Sequence, residues 1–152
     1  MLRESIKNQL VAALKEHDEA KVSILRLINA AIKDKDIAAR PAGKTDGISD
    51  ADILQLLQSM IKQRKESIEM YEKGGRADLV AKEQGEVNVI ASFLPKQMDE
   101  AAMREAIKAV IAQTGAASIK DMGKVMGALR AQYAGQMDFG QASALIKEML
   151  AA

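Results

Sequence analysis

Lys120, Gly123, Lys124, Gly127 and Arg130 are the residues of this chain whose types and spacing best suit ligand binding. At helical spacing they share a face with Ala131, opposite a stripe of Met122, Val125, Met126, Leu129 and Tyr133. A glycine in a helix interior costs about 0.8–1 kcal/mol relative to alanine. Two of them at i and i+4 clear a patch of side chains and let a ligand approach the main chain. Cations on either side make the ligand a polyanion, and phosphate and ribose of an RNA backbone fit that description. The same two glycines also suit close packing of another helix, and the residues alone leave the two uses level. Tyr133 and Phe139 are the nearby aromatics. Both fit core positions better than base-stacking platforms, so folded RNA read by shape is the better version of the RNA reading.

Other chemistry is harder to assemble. The chain has no cysteine, which removes thiolate nucleophiles, thiolate metal sites and disulfides. His17 is the single histidine and falls at the first helix junction, where a capping or surface role suffices. No serine sits in a Gly-x-Ser-x-Gly elbow, and Ser67 falls in a charged helix face beside Lys65 and Glu66. Gly43-Lys44-Thr45 ends like a phosphate loop but lacks the upstream glycine and a preceding strand. Glu83 and Glu86 lie at i,i+3 without the Glu-x-x-His partner of bundle metal sites. Glu83 falls on the apolar stripe of its helix and Arg64 on that of the preceding one, which predicts an interior or rim ion pair of Glu83 with a basic residue such as Arg64. No catalytic residue, metal ligand or cofactor is therefore expected.

The elements that would position these groups are all helices. Leu2, Ile6, Leu10, Ala13 and Leu14 predict a first amphipathic helix to about Glu16. Asp18 caps a second with Val22, Leu25, Ile28, Ala31 and Ile32, which fades near Ala39. A loop over 40–47 follows, then Ser49 and Asp52 open a long third helix carrying Ile53, Leu57, Met60, Ile61, Ile68 and Tyr71. Lys62–Glu66, Lys65–Glu69 and Glu69–Lys73 are spaced for i,i+4 pairing on its outside. Gly74-Gly75 stops it, and a fourth helix starts at about Arg76 and carries Leu79, Val80, Val87 and Ile90.

Pro95 marks the best boundary, since proline biases its predecessor out of helix. Asp99 caps a fifth helix ended by Gly115. Ser118 begins the two-faced sixth, which ends at Ala134-Gly135, and Asp138 caps the seventh. The expectation is an all-α fold. An N-terminal four-helix part over 1–94, made of a helical hairpin plus a long helix and its partner, precedes a small C-terminal three-helix bundle over 95–152.

Composition sets the limits. An apolar content of 48% supports a true core, but only 3% is aromatic and nine residues are Met, so that core is aliphatic and adaptable. The net charge of +1 gives no global pull on a polyanion, so any anion surface is local. Residues 1–20 carry acids and no long apolar run, and no stretch approaches the roughly 20 apolar residues that span a bilayer. A cytoplasmic protein without membrane contact is expected.

A family resemblance adds to this. Its carriers are Lys62-Gln63-Arg64-Lys65-Glu66-Ser67-Ile68, Gly74-Gly75-Arg76-Ala77-Asp78-Leu79, Ala91-Ser92-Phe93-Leu94-Pro95, Thr114-Gly115-Ala116 and Lys120-Asp121-Met122-Gly123-Lys124-Val125-Met126. In that order and spacing they resemble the GatB/YqeY family across nearly the whole chain. The family is similar to the C-terminal region of the GatB protein of the aspartyl/glutamyl-tRNA amidotransferase. There a Gly-x-Val-Met string lies in a small helical tail domain associated with tRNA, and Gly123-Lys124-Val125-Met126 fits that string. The resemblance implies an all-helical fold in two parts. It also implies a family label of carbon–nitrogen ligase activity with glutamine as amido-N-donor, without implying that this chain catalyses anything.

The expected function is thus a non-catalytic accessory module that binds RNA, with tRNA and proteins of amidation or translation as partners. Lys120, Gly123, Lys124, Gly127 and Arg130 form its primary face, and Lys62, Arg64, Lys65 and Arg76 are secondary candidates. The rivals are a protein-interaction adaptor with no RNA ligand and a standalone amidotransferase. The oligomeric state is not legible.

Overall fold

The structure is a computed structural model and describes residues 1–151. Among these residues the chain is all-α, with seven α-helices and no strand. Cα proximity groups it into two units, Met1–Leu94 and Pro95–Ala152.

The first unit holds α1 (Leu2–Lys15), α2 (Glu19–Ala39), α3 (Asp50–Lys73) and α4 (Ala77–Ala91). α1 and α2 form a hairpin, α3 and α4 form another, and α2 packs on both α3 and α4. The junction of the first hairpin is short because His17 adopts the left-handed conformation (φ 56°). The His17 N–H donates to the Leu14 carbonyl (3.3 Å) and the Asp18 N–H to the Ala13 carbonyl (3.0 Å). That is a Schellman closure with histidine in the usual place of glycine. Asp18 then caps α2 by accepting the Lys21 N–H at 3.1 Å. His17 is thus a backbone joint at the end of α1. The stretch after α2 is not all loop: Arg40–Ala42 continues as a 3-10 turn around Pro41.

Ile6, Ile24, Leu25, Ile28, Ile53 and Leu57 are the centre of the first core, and Ile90 of α4 closes it. Tyr71 is half-buried on α3. At the rim, Arg3 of α1 and Asp36 of α2 form a two-point ion pair (2.7 and 2.5 Å). Arg3 also donates to the Ile48 carbonyl (3.0 Å), and Asp36 accepts the Ile48 N–H (2.8 Å). The pair therefore ties the two hairpin helices to the segment that leads into α3. The guanidinium of Arg3 and then the Ile48 N–H hold the Asp36 carboxyl low, at about 2, against the opposing effect of burial. Gly47 lies against this pair at φ 96°, and a Cβ there would fall 2.6 Å from Arg3 Nη2 and 2.8 Å from Asp36 Oδ1.

The second unit holds α5 (Glu100–Thr114), a 3-10 turn over Ile119–Asp121, α6 (Met122–Gln132) and α7 (Phe139–Ala151). Every pair of these three helices is in contact. Its core is Met103, Ile107, Val110, Val125, Leu129 and Ile146 with Met137 from the α6–α7 connection. Gln97 bonds the Gly135 carbonyl (2.6 Å) and Met98 donates to the Gln136 carbonyl (2.8 Å), which fastens the start of this unit to the same connection. Among the described residues no helix is long and apolar enough to cross a membrane.

Candidate functional site: the outward face of α6

α6 is held by its apolar back. Val125 and Leu129 are fully buried, and Met122, Met126 and Tyr133 pack against the same cluster. The opposite face consequently points to solvent. Gly123, Lys124, Gly127, Arg130 and Ala131 are all exposed, as is Lys120. A Cβ built on Gly123 or on Gly127 would meet nothing within 4 Å. Neither glycine is needed for a left-handed turn or for the approach of another helix. Close helix packing, the alternative reading of this pair, is not what the structure shows at these two positions.

The geometry departs from the sequence expectation at one end. Ser118 opens a 3-10 turn rather than the α-helix itself, and α6 begins at Met122. Lys120 therefore sits in the turn that precedes the helix, one step off the strict α periodicity. The Asp121 carboxylate accepts the Ala117 N–H (3.0 Å) and the Ser118 N–H (3.3 Å). These bonds, with Lys124 nearby, hold its carboxyl below the usual carboxylate range. Asp121 is thereby spent on the backbone and is a weak competitor for the cations. Among the described residues Lys120 and Lys124 have no carboxylate within 4.0 Å. Arg130 has its Cζ 5.8 Å from the centroid of the Phe139 ring, a cation–π arrangement that settles the guanidinium beside the first residue of α7. Phe139 and Tyr133 both pack, partly buried, against the core, as the core reading of these aromatics expects.

The secondary candidates do not behave alike. Lys62 and Lys65 are exposed on α3. Arg64 is turned inward: its side chain is 12% exposed, with Nε 2.9 Å from Glu86 Oε2 and Nη1 3.2 Å from the Met60 carbonyl. The inter-helix ion pair anticipated for Arg64 thus exists, but its acid is Glu86 and not Glu83. The two glutamates are one helical turn apart on α4, and the reach from α3 selects the second. Arg76 is exposed and holds Asp78 (3.1 Å). The expected i,i+4 pairs Lys62–Glu66, Lys65–Glu69 and Glu69–Lys73 do not close within 4.0 Å among the described residues. Exposed pairs of this kind gain only about 0.2–0.5 kcal/mol, too little to fix two long side chains.

Sequence reasoning missed the Arg3–Asp36 pair and the buried Met137. Both left a trace. Arg3 lies one turn before Ile6 and Asp36 one turn after Ile32, so each charge extends a buried stripe. Met137 directly precedes the capping Asp138, with the buried Ala142 at the fourth helical position. That is the spacing of a hydrophobic staple, and Ile48 with Ile53 and Met98 with Met103 repeat it at α3 and α5.

The fold and this face define an all-α protein of two helical units with an exposed strip of glycine and cations on its penultimate helix. The chain belongs to the YqeY-like family: the family described as "Yqey-like protein" matches residues 3–150. Among curated proteins, "Altered inheritance of mitochondria protein 41, mitochondrial" of Saccharomyces cerevisiae is 36% identical over 89 residues, which are 59% of this chain and 46% of that protein. The protein of the same name from Lachancea thermotolerans is 32% identical over 90 residues, again 59% of this chain and 46% of the relative. The matches thus cover about half the length of these two relatives. An uncharacterized protein of Schizosaccharomyces pombe is 28% identical over 95 residues, 62% of this chain and 73% of that one.

Proposed function

We propose that this protein is a non-catalytic RNA-binding accessory module, with tRNA as its partner, working beside amidated aminoacyl-tRNA synthesis or translation. The observation that carries the reading is the open backbone at Gly123 and Gly127 between the cations Lys120, Lys124 and Arg130. Such a face admits a sugar–phosphate chain close to the main chain and supplies charge on both sides of it. The resemblance of Gly123-Lys124-Val125-Met126 to the amidotransferase tail supports tRNA in particular. Carbon–nitrogen ligase chemistry stays with the related enzyme in this reading. The proposed location is the cytoplasm, although the budding-yeast relatives carry a mitochondrial name.

Titration of labelled tRNA against the full chain tests it. The expected result is micromolar binding that weakens as salt rises and that Lys124→Glu abolishes. Gly127→Leu should weaken binding without changing the salt slope, since it blocks access and leaves the charges in place. The absence of binding at low salt, or binding indifferent to both substitutions, removes the proposal.

A further inference from the structure

The outer face of the α1–α2 hairpin carries an open groove whose lining mixes apolar residues with His17, Glu19, Ser23 and Arg26. Leu14 of α1 with Val22, Leu27 and Ala30 of α2 line it, and Val11 lies one turn from Leu14 on α1. Val11, Leu14 and Leu27 are 50, 43 and 49% exposed. Ile24, Leu25, Ile28 and Ile32 occupy the other side of α2 and fill the core, Val22 packs at its edge, and Val11, Leu14, Leu27 and Ala30 take no part in it. These apolar side chains form one small patch rimmed by polar residues, a surface that a partner could cover.

The charges in the groove say which partner. Glu19, Val22, Ser23 and Arg26 follow one another at i, i+3, i+4 and i+7, a single stripe down α2 that is part of the groove wall. Its two ends carry opposite charges, and among the described residues neither Glu19 nor Arg26 has an ion-pair partner within 4.0 Å. The stripe is self-complementary. Laid antiparallel on a second α2, with the two-fold axis between Val22 and Ser23, Glu19 of each copy faces Arg26 of the other, and Val22 faces the small Ser23. In that register Leu27 of each copy comes level with Asp18 of the other, at the end of the groove lined by Leu14 and His17. A foreign helix would have to bring this charge order and spacing with it, whereas a second copy already has it. We propose that the α1–α2 groove is a two-fold self-association surface, an isologous contact centred on Val22 and Ser23. The inference is independent of the RNA reading, whose primary face lies in the other helical unit.

Sedimentation velocity of the full chain over a concentration series tests it. The wild type should show a monomer–dimer equilibrium with a dissociation constant on the order of tens of micromolar, as suits a small interface. Glu19→Arg and Arg26→Glu, each alone, set like charges against one another and should weaken association about tenfold or more. The double variant restores the complement and should recover the wild-type value. Leu27→Glu should abolish the dimer. All three positions are exposed, and circular dichroism of each variant verifies that the helices persist. A wild type that stays monomeric throughout the series would leave the groove to some other protein and overturn the proposal. A dimer indifferent to the charge swaps would place the contact elsewhere and overturn it as well.

Discussion

Glycines 123 and 127 stand in helical backbone that any residue could adopt, with free space where a side chain would be. Alanine at Gly127, in the interior of α6, should therefore raise stability by about 0.8–1 kcal/mol, seen as a higher thermal midpoint, and alanine at Gly123, in the first turn, by less, because each adds helix propensity and displaces nothing. A lower midpoint would mean that these glycines serve the fold after all. Gly47 is the opposite case: its φ of 96° and the crowding by Arg3 and Asp36 leave no place for a methyl group. Sequence placed Gly47 in a loop and Gly123 and Gly127 on a helix, but it could not tell which of them has open space and which is crowded. The same holds for Glu83 and Glu86. Helical phase favoured Glu83 as the acid for Arg64, and side-chain reach between α3 and α4 decided for Glu86, one turn on.

At the level of elements, the helices were legible because their signals agree. Asp18, Ser49, Asp99 and Asp138 each accept a backbone N–H at the start of a helix, as their residue types predict. The start of α6 was less legible because Ser118 and Asp121 are both good capping residues, and periodicity does not rank them; the chain uses the interval for a 3-10 turn. The Arg3–Asp36 pair, which spans two helices and the approach to a third, carries a pH signature. Its carboxyl is lowered from the ordinary 3.8 to about 2, so the stabilisation is complete above roughly pH 4 and fades as pH falls through about 2. Both side chains are partly exposed, which scales the effect to about 1–2 kcal/mol. Asp36→Asn should lower stability by that amount near neutrality, and denaturant titrations should find the gap to wild type narrowing below about pH 4. A gap of constant size down to pH 2 would sink this account.

For the whole molecule, the all-α class followed from composition and period, and family membership from collinear strings of residues. The uses of its surfaces were less legible, because exposure is a property of packing that one-dimensional spacing only suggests. Each core cluster draws on residues of a single unit. We expect residues 95–152, expressed alone, to be helical and to melt cooperatively, although a bundle of that size has little core to spare. A featureless melt would show that this bundle needs the rest of the chain. The chain's aromatic poverty also makes such events easy to watch. With no tryptophan, its near-ultraviolet emission comes from two tyrosines, Tyr71 on α3 in the first unit and Tyr133 at the end of α6 in the second. Replacing either by phenylalanine leaves one intrinsic fluorophore, so each half of the protein comes with its own built-in optical gauge.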